Sequence, residues 1–591
     1  MKNILIKNIS QAVTSAGYKS PASFNVDEPP KGTKGDWATN VAMAIAGANK
    51  SNPKETAEKI KTELLNDSDI ESVEIAGPGF INITLKNEIY LSELKNIIDQ
   101  KTSYGHTETM AGKKVNVEYI SANPTGPLHI GNARSGPIGE AFANLYESLG
   151  AKVEREFYVN DIGVQIGRFG KSLYHWYKIK QDPGTEFPED GYPGGYIKET
   201  SENIQKDCAD DINKIKGEPE LIEFFAKGGL KLMVENIKAD AKLLDIEFDR
   251  WTYESEALEN GKSRSVVQQL TEKGHTAEKD GAIWFARPED KNLEDKDSVL
   301  VKSDENKTLT YFANDIAYHV EKLSRADLLI DIWGANHFVH IPRIKSALSA
   351  LGYSEDKINI IVYQYVRLKK SGVALSMGKR LGNFVTLREV IEGGVAADAF
   401  KYFILSQNPN TPIDFDIELA ADTSEKNPVY YIKYAHARIC SILRKIDHNV
   451  ISTPHDSDFV ISTPHEVRAE KSSNDEKISR QARDDSERGT TSLDLEGADL
   501  SLLKNPKEIA LYKELVKFPE LIEQVSKDFQ IQAIPHFAYK IATLFHDFYG
   551  SCKVLGEEKE LEKARLALIL ATKYVLKNAL NICGIEAPEK M

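Results

Sequence analysis

The chain has 591 residues, of which 41% are hydrophobic and 9% aromatic, and it carries a formal net charge of −14. That length argues against one core and for about three or four domains, and the composition excludes collagen-like or wholly disordered chains. No apolar run reaches the roughly 18 residues needed to span a bilayer. The first ten residues are amphipathic and lack the apolar core of a secretory signal, so a cytoplasmic protein with no membrane partner is expected.

Residues 1–108 read as a small α/β unit. A helical pattern over 4–16 precedes a loop holding Gly35, Asp36, Trp37, Ala38, Thr39 and Asn40. Asn52-Pro53 is a start signal for a helix over 54–65, and residues 80–85 alternate as a strand beginning at Phe80. From 109 to 395 the texture is βαβ. Residues 115–120 and 153–159 read as strands around a helix over 133–149 that Gly150 ends, which implies a Rossmann-like parallel sheet with right-handed crossovers. A polar, helix-rich stretch from 170 to 249, within an insertion spanning about 170–280, interrupts it. Strand patterns return at 282–285, 328–333 and 358–363. Residues 396–591 carry apolar residues at helical spacing over 429–446, 511–525, 534–549 and 561–583, an all-α domain.

One segment breaks this pattern. Val450 to His455 (VISTPH) recurs as Val460 to His465, and the densely charged 466–489 follows. Too little apolar surface is present to offset ordering entropy, so an insertion over about 450–495, disordered or weakly helical, is expected between two helices.

Ligands of parallel sheets sit at the carboxyl ends of the strands, where the segment Pro127-Leu128-His129-Ile130-Gly131-Asn132 falls. It follows a strand and opens a helix, whose amino-terminal N–H groups and dipole attract phosphate. On the residues alone it is also compatible with a helix-capping turn and a satisfied histidine. Downstream, Ser376-Met377-Gly378-Lys379-Arg380 places Lys379 on a glycine-containing basic turn.

The two segments resemble the ATP-handling signatures of class I aminoacyl-tRNA synthetases, with Asn132 in place of the usual second histidine and Ser376 and Gly378 in place of a lysine and a serine. The stretches 35–40, 77–85, 118–132, 160–165, 311–315, 333–337, 434–438 and 567–591 are similar to arginyl-tRNA synthetases. The resemblance implies a class I catalytic domain between an α/β tRNA-binding domain and a helical anticodon-binding domain. It implies ATP binding by Pro127, His129, Gly131, Asn132, Gly334, His337, Met377 and Lys379, with His129 and Lys379 as the catalytic pair.

The same resemblance places Glu118, Ser121, Asn123, Gln165, Tyr311 and Asp315 on L-arginine. Chemically, a guanidinium calls for a planar carboxylate partner, and Asp315 lies one helical turn from Tyr311. A salt-bridged surface helix is the plainer account of Asp315. The implied partners are tRNA(Arg), L-arginine and ATP with Mg²⁺ held by phosphates and water, on a monomer. Trp37, Asn40 and Phe80 are candidates for the tRNA elbow, and Tyr430, Tyr434 and Arg438 for stacking on single-stranded bases. No metal-ligand cluster is expected. The scattered Cys208, Cys440, Cys552 and Cys583, with no Cys-x-x-Cys pair, argue against zinc.

Three other readings stand beside this one: another class I synthetase, a small-molecule nucleotidyltransferase, and a non-catalytic RNA-binding paralogue.

Overall fold

The computed structural model describes residues 1–30, 32–286, 298–370, 373–374, 385–451 and 497–591. The expectations for Ser376, Met377, Gly378 and Lys379, and for the repeated and charged stretch from 452 to 495, lie outside the described residues.

The first unit is an antiparallel sheet of β1 (Val26–Asp27), β2 (Trp37–Thr39), β3 (Ile70–Ala76) and β4 (Phe80–Leu85) in the order β1-β2-β4-β3. Its helices include Lys2–Ser15 and Pro53–Leu64. The second of these starts where the local chemistry dictates. The Asn52 side chain accepts the Lys54 N–H at 3.0 Å, and Pro53 takes a first-turn position whose N–H has no intrahelical partner.

The central sheet is parallel throughout. It comprises β5 (Lys114–Glu118), β6 (Lys152–Val159), β7 (Arg250–Tyr253), β11 (Leu328–Gly334) and β12 (Ile358–Tyr363) in the order β12-β11-β5-β6-β7. Val115, Val117, Leu329 and Ile330 are buried in it, as expected for strands covered on both faces. The chain leaves β5 toward β6 and β7, then returns on the other side as β11 and β12. The order therefore reverses between β5 and β11, and a crevice opens there above the strand ends.

The structure departs from the sequence reading in three places. β7 lies inside the range taken as a helical insertion, its four residues being too few to show an alternation. Ala282–Phe285 does not rejoin the parallel sheet. It is β9, the middle strand of a separate antiparallel sheet with β8 (Thr276–Lys279) and β10 (Val299–Val301). The helix read over 511–525 is two helices, Pro506–Leu515 and Phe518–Asp528. Pro519 stands in the first turn of the second, where its missing N–H costs nothing but where it cannot continue the preceding ladder.

Three more strands, β13 (Val366–Lys370), β14 (Val373–Ala374) and β15 (Ile413–Asp416), form a small sheet beyond β12 in the order β14-β13-β15. Helices Pro428–Ile451, Ala533–Ser551 and Lys559–Ile582 dominate the carboxyl-terminal region. The last gives way to Gly584, whose φ of 65° is the left-handed conformation that ends helices. One hydrophobic core runs through the first unit, the central sheet and these helices. The helices Val164–Lys178, Gly195–Asp207 and Glu218–Lys242 close a separate cluster of their own around Phe169, Leu173, Ile197 and Phe225. Among the described residues, no helix is long and apolar enough to cross a membrane.

Candidate active site

A cavity of about 430 Å³ occupies the crevice, walled by the ends of β5, β6, β11 and β12 and by the helix Tyr311–Arg325. Glu118, Ser121, Asn123, Gln165, Tyr311 and Asp315 all line it, joined by Asn132, Gly334 and His337. The turn after β5 aims the first of these residues. Ile120 and Ser121 adopt φ values of 66° and 35°, and a β-branched residue enters that region only when its surroundings force it. Here the Ile120 N–H donates to Ser135 Oγ at 3.1 Å, and the Ser121 N–H to the Tyr119 carbonyl at 2.9 Å. The result turns the Ser121 hydroxyl to donate to Glu118 Oε1 at 2.9 Å while accepting the Tyr158 N–H at 3.1 Å. Asn123 Nδ2 donates to Gln165 Oε1 at 3.0 Å, joining the β5 loop to the helix Val164–Lys178.

Charge beneath this cavity is arranged in layers. Lys322 is fully buried and bridges Glu118 Oε2, at 2.8 Å, to Asp331 Oδ1. His319 Nε2 meets the other Asp331 oxygen at 3.1 Å, and its Nδ1 meets the Asp315 carbonyl at 2.7 Å. Asp331 is thereby held down at about 2 against the upward pull of burial, by Lys322 and His319 together. Glu118 already holds two hydrogen bonds, so its contribution to a ligand is a fixed field.

Asp315 differs. Burial pushes its carboxyl up to about 7. The nearby His319 pulls it down, while the carboxylates of Glu254 and Glu118 push it further up. Glu254, which takes the Asn314 amide at 3.2 Å, is also raised by burial. Among the described lining residues there is no lysine or arginine, and His319 is the group that opposes the two carboxylates. Such a wall fits a cationic group, whose arrival would favour the ionised form of Asp315.

Of the residues expected to meet ATP, Pro127, His129 and Asn132 line an adjoining cleft that shares Ala122, Asn123 and Asn132 with the main cavity. His129 is the residue before the short helix Ile130–Ala133, and its Nδ1 accepts the Asn132 N–H at 3.2 Å. The helix-capping turn and the turn expected from the sequence to meet phosphate are therefore the same segment. Accepting at Nδ1 puts the proton of the neutral ring on Nε2. Gly131 packs against this imidazole, where a Cβ would lie 3.1 Å from two ring atoms. Val385 and Leu387 tie into the same loop: the Ile130 N–H donates to the Val385 carbonyl at 3.1 Å, and the Leu387 N–H to the Leu128 carbonyl at 2.8 Å. Residues 385–387, which follow the lysine segment in the chain, thus lie beside His129.

The candidates for RNA contact fare unevenly. Trp37 is 6% exposed within β2 and packs in the core, so its assignment to the tRNA elbow is corrected: a buried indole offers no face to a base. Asn40 accepts the Asn25 N–H at 2.8 Å, a turn-fixing bond, whereas Phe80 is 40% exposed at the start of β4. On the helix Pro428–Ile451, Tyr434 is 39% exposed and stacks on His546 at 5.9 Å. The Arg438 guanidinium lies 5.1 Å from the Tyr549 ring centre, and Tyr430, one turn before Tyr434, is half-buried. His546 and Tyr549, like Glu254, escape sequence reasoning. The first two lie a hundred residues from their partners, and Glu254 follows the strand that went unrecognised.

Family models match the chain in three consecutive blocks: Arginyl tRNA synthetase N terminal domain over residues 3–85, tRNA synthetases class I (R), catalytic domain over 93–414, and DALR anticodon binding domain over 432–591. The arginine–tRNA ligase of Caldanaerobacter subterraneus subsp. tengcongensis is 39% identical across 100% of this chain and 98% of that protein. The chain belongs to the arginyl-tRNA synthetase family. The arginine–tRNA ligase of Carboxydothermus hydrogenoformans is 37% identical over 99% of the chain and 98% of its own length. A putative arginyl-tRNA synthetase from Campylobacter jejuni superposes with a TM-score of 0.69 at 29% identity, covering 86% of this chain and 100% of that one. The Thermus thermophilus arginyl-tRNA synthetase gives 0.73 at 21% identity over 100% of both chains, a likeness of fold. In this synthetase the matched catalytic block contains both the cavity and the His129 cleft.

Proposed function

We infer that the protein condenses ATP with L-arginine to give arginyl-adenylate and pyrophosphate, and then transfers the arginyl group to the 3′ end of tRNA(Arg). The observation that carries this reading is an acidic cavity, with Asp315 at its wall, opening directly onto the helix start that bears His129. The arginine guanidinium pairs with Asp315 beside Tyr311, in the field of Glu254 and Glu118. Ser121, Asn123 and Gln165 receive the α-amino and carboxylate end. The carboxylate oxygen attacks the α-phosphorus, and the bond from that phosphorus to the bridging oxygen of pyrophosphate breaks. The substrate supplies its own nucleophile, so catalysis consists of alignment and charge neutralisation.

His129, with its Nε2 proton, meets the phosphates at the positive end of the helix dipole, and Gly334 and His337 line the cavity for the rest of the nucleotide. Lys379, assigned from the sequence, meets the charge that develops on pyrophosphate. Among the described residues, no group of three or more His, Cys, Asp or Glu side chains forms a metal cage. Mg²⁺ accompanying ATP would be held by phosphate oxygens and water.

Phe80 in the first unit, and the face carrying Tyr434 and Arg438, are proposed to meet the tRNA. Charging a bulk tRNA pool with each amino acid in turn tests the reading: only arginine should be incorporated, and any other amino acid charged in its place would overturn it. Lys379→Ala should lower pyrophosphate exchange, measured with tRNA present, by on the order of 100-fold.

A further inference from the structure

Four tyrosines line the main cavity, and the function proposed above uses one of them, Tyr311. Of the others, Tyr318 is 3% exposed and its hydroxyl is sealed from water. Tyr363 stands beside Ser135 and Arg134. Tyr158 remains, and it stands among the carboxylates. Burial first, and then Glu254, Asp315, Glu118 and Asp161, push its phenol up in pKa, so the hydroxyl stays neutral. That hydroxyl makes no hydrogen bond among the described residues and, unlike that of Tyr318, is open to the cavity.

The side chain is held in place from several sides. Tyr158 lies near the carboxyl end of β6, its N–H donates to Ser121 Oγ at 3.1 Å, and its ring packs 4.5 Å from that of Tyr318. β7 sets Thr252 opposite Tyr158, two residues before Glu254. A phenol oxygen can accept an N–H while its own proton goes to a carboxylate. A guanidinium brings five N–H donors in one plane, and a carboxylate such as Asp315 takes two of them side by side. The rest need further acceptors. An ammonium brings three donors on a cone, and on a lysine side chain it ends one bond short of the outer guanidinium nitrogens.

We propose that Tyr158 is a specificity-determining residue, its hydroxyl accepting a guanidinium N–H of arginine that the ammonium of lysine leaves unmade. The inference rests on the reading of this cavity as the arginine site. Its consequence is that part of the preference for arginine over lysine comes from a neutral oxygen and not from the carboxylates, which attract either cation.

Tyr158→Phe tests it, because that change removes the oxygen and keeps the ring against Tyr318. In pyrophosphate exchange by the full-length enzyme with tRNA present, KM for arginine should rise about 10- to 30-fold, the loss of one hydrogen bond to a charged group, with KM for ATP within about twofold. The inhibition constant of L-lysine against arginine should change by less than about twofold, since lysine shares only the α-amino and carboxylate end. Inhibition by n-butylguanidine, which keeps only the cationic end, should weaken in step with arginine. The denaturant midpoint of the free enzyme should hold or rise, because an unpartnered hydroxyl takes no hydrogen bond with it. Equal losses for arginine and lysine would move the contact to the shared end of the amino acid and overturn the inference. An unchanged constant for n-butylguanidine, or an unchanged KM for arginine whether or not the midpoint falls, would overturn it too. Asp315→Asn with an unchanged KM for arginine would instead overturn the reading of the cavity, and this inference with it.

Discussion

The two ends of the cleft are built on opposite principles. The proposed arginine end uses side-chain charge, with Asp315 and Glu254 facing the cavity and Lys322 beneath them bridging Glu118 and Asp331. The proposed nucleotide end is built on backbone, with an imidazole that caps its own helix and main-chain bonds from 385–387. On that proposal a cation meets a carboxylate that burial disfavours in its charged form, and an anion meets an imidazole at a helix start. The first end should therefore depend on pH and on single charges, and the second on registration.

Four measurements would break or sharpen that contrast. The largest effect is expected at Lys322→Ala, which leaves Glu118 and Asp331 facing each other without their bridging cation. Unfolding should cost about 3–5 kcal/mol less, read by denaturant titration, and a loss under about 1 kcal/mol would refute the layered-charge account. Asp315→Asn should raise KM for arginine by roughly 30- to 100-fold with KM for ATP within about twofold, because a charge-assisted pair is lost at one end alone. Equal changes in both constants would count against the division of the cleft.

The third effect is the pH response. With Asp315 at about 7, the neutral carboxyl dominates below that value and cannot form an ion pair with a guanidinium. KM for arginine should rise about tenfold from pH 8 to pH 6, and arginine binding at pH 7 should release protons, detectable by calorimetry in buffers of different ionisation enthalpy. A flat profile would place the cation elsewhere. Smallest of all, deleting 452–490 should change kcat/KM for aminoacylation by less than about twofold, since so charged a stretch buries little surface. A large loss would give that segment a use.

How much of this is legible in the sequence depends on distance along the chain. Tyr311 and Asp315 are legible because four residues of helix bring them to one face, and the His129 loop because strand, turn and helix follow one another within a few positions. Glu254 is not, since the four residues of β7 carry too short a pattern to mark a strand end. Trp37 is misread for the converse reason: a loop-like surrounding of glycine and aspartate hides a three-residue strand whose neighbours cover the indole. The break at Val516 and Lys517 is missed because apolar spacing continues across it, while Pro519 decides where the new helix starts.

Local order in the sequence by itself determined the βαβ framework and the capped helices. Periodicity, caps and turns act over a few residues, and physics at that range needs no knowledge of the rest. Only the tertiary structure decided that Lys322 sits on Glu118, 204 positions away, and that Asp240 reaches Arg388 across 148. Such pairs are fixed by through-space electrostatics in a medium that excludes water, which leaves no repeat or spacing in the chain to announce them.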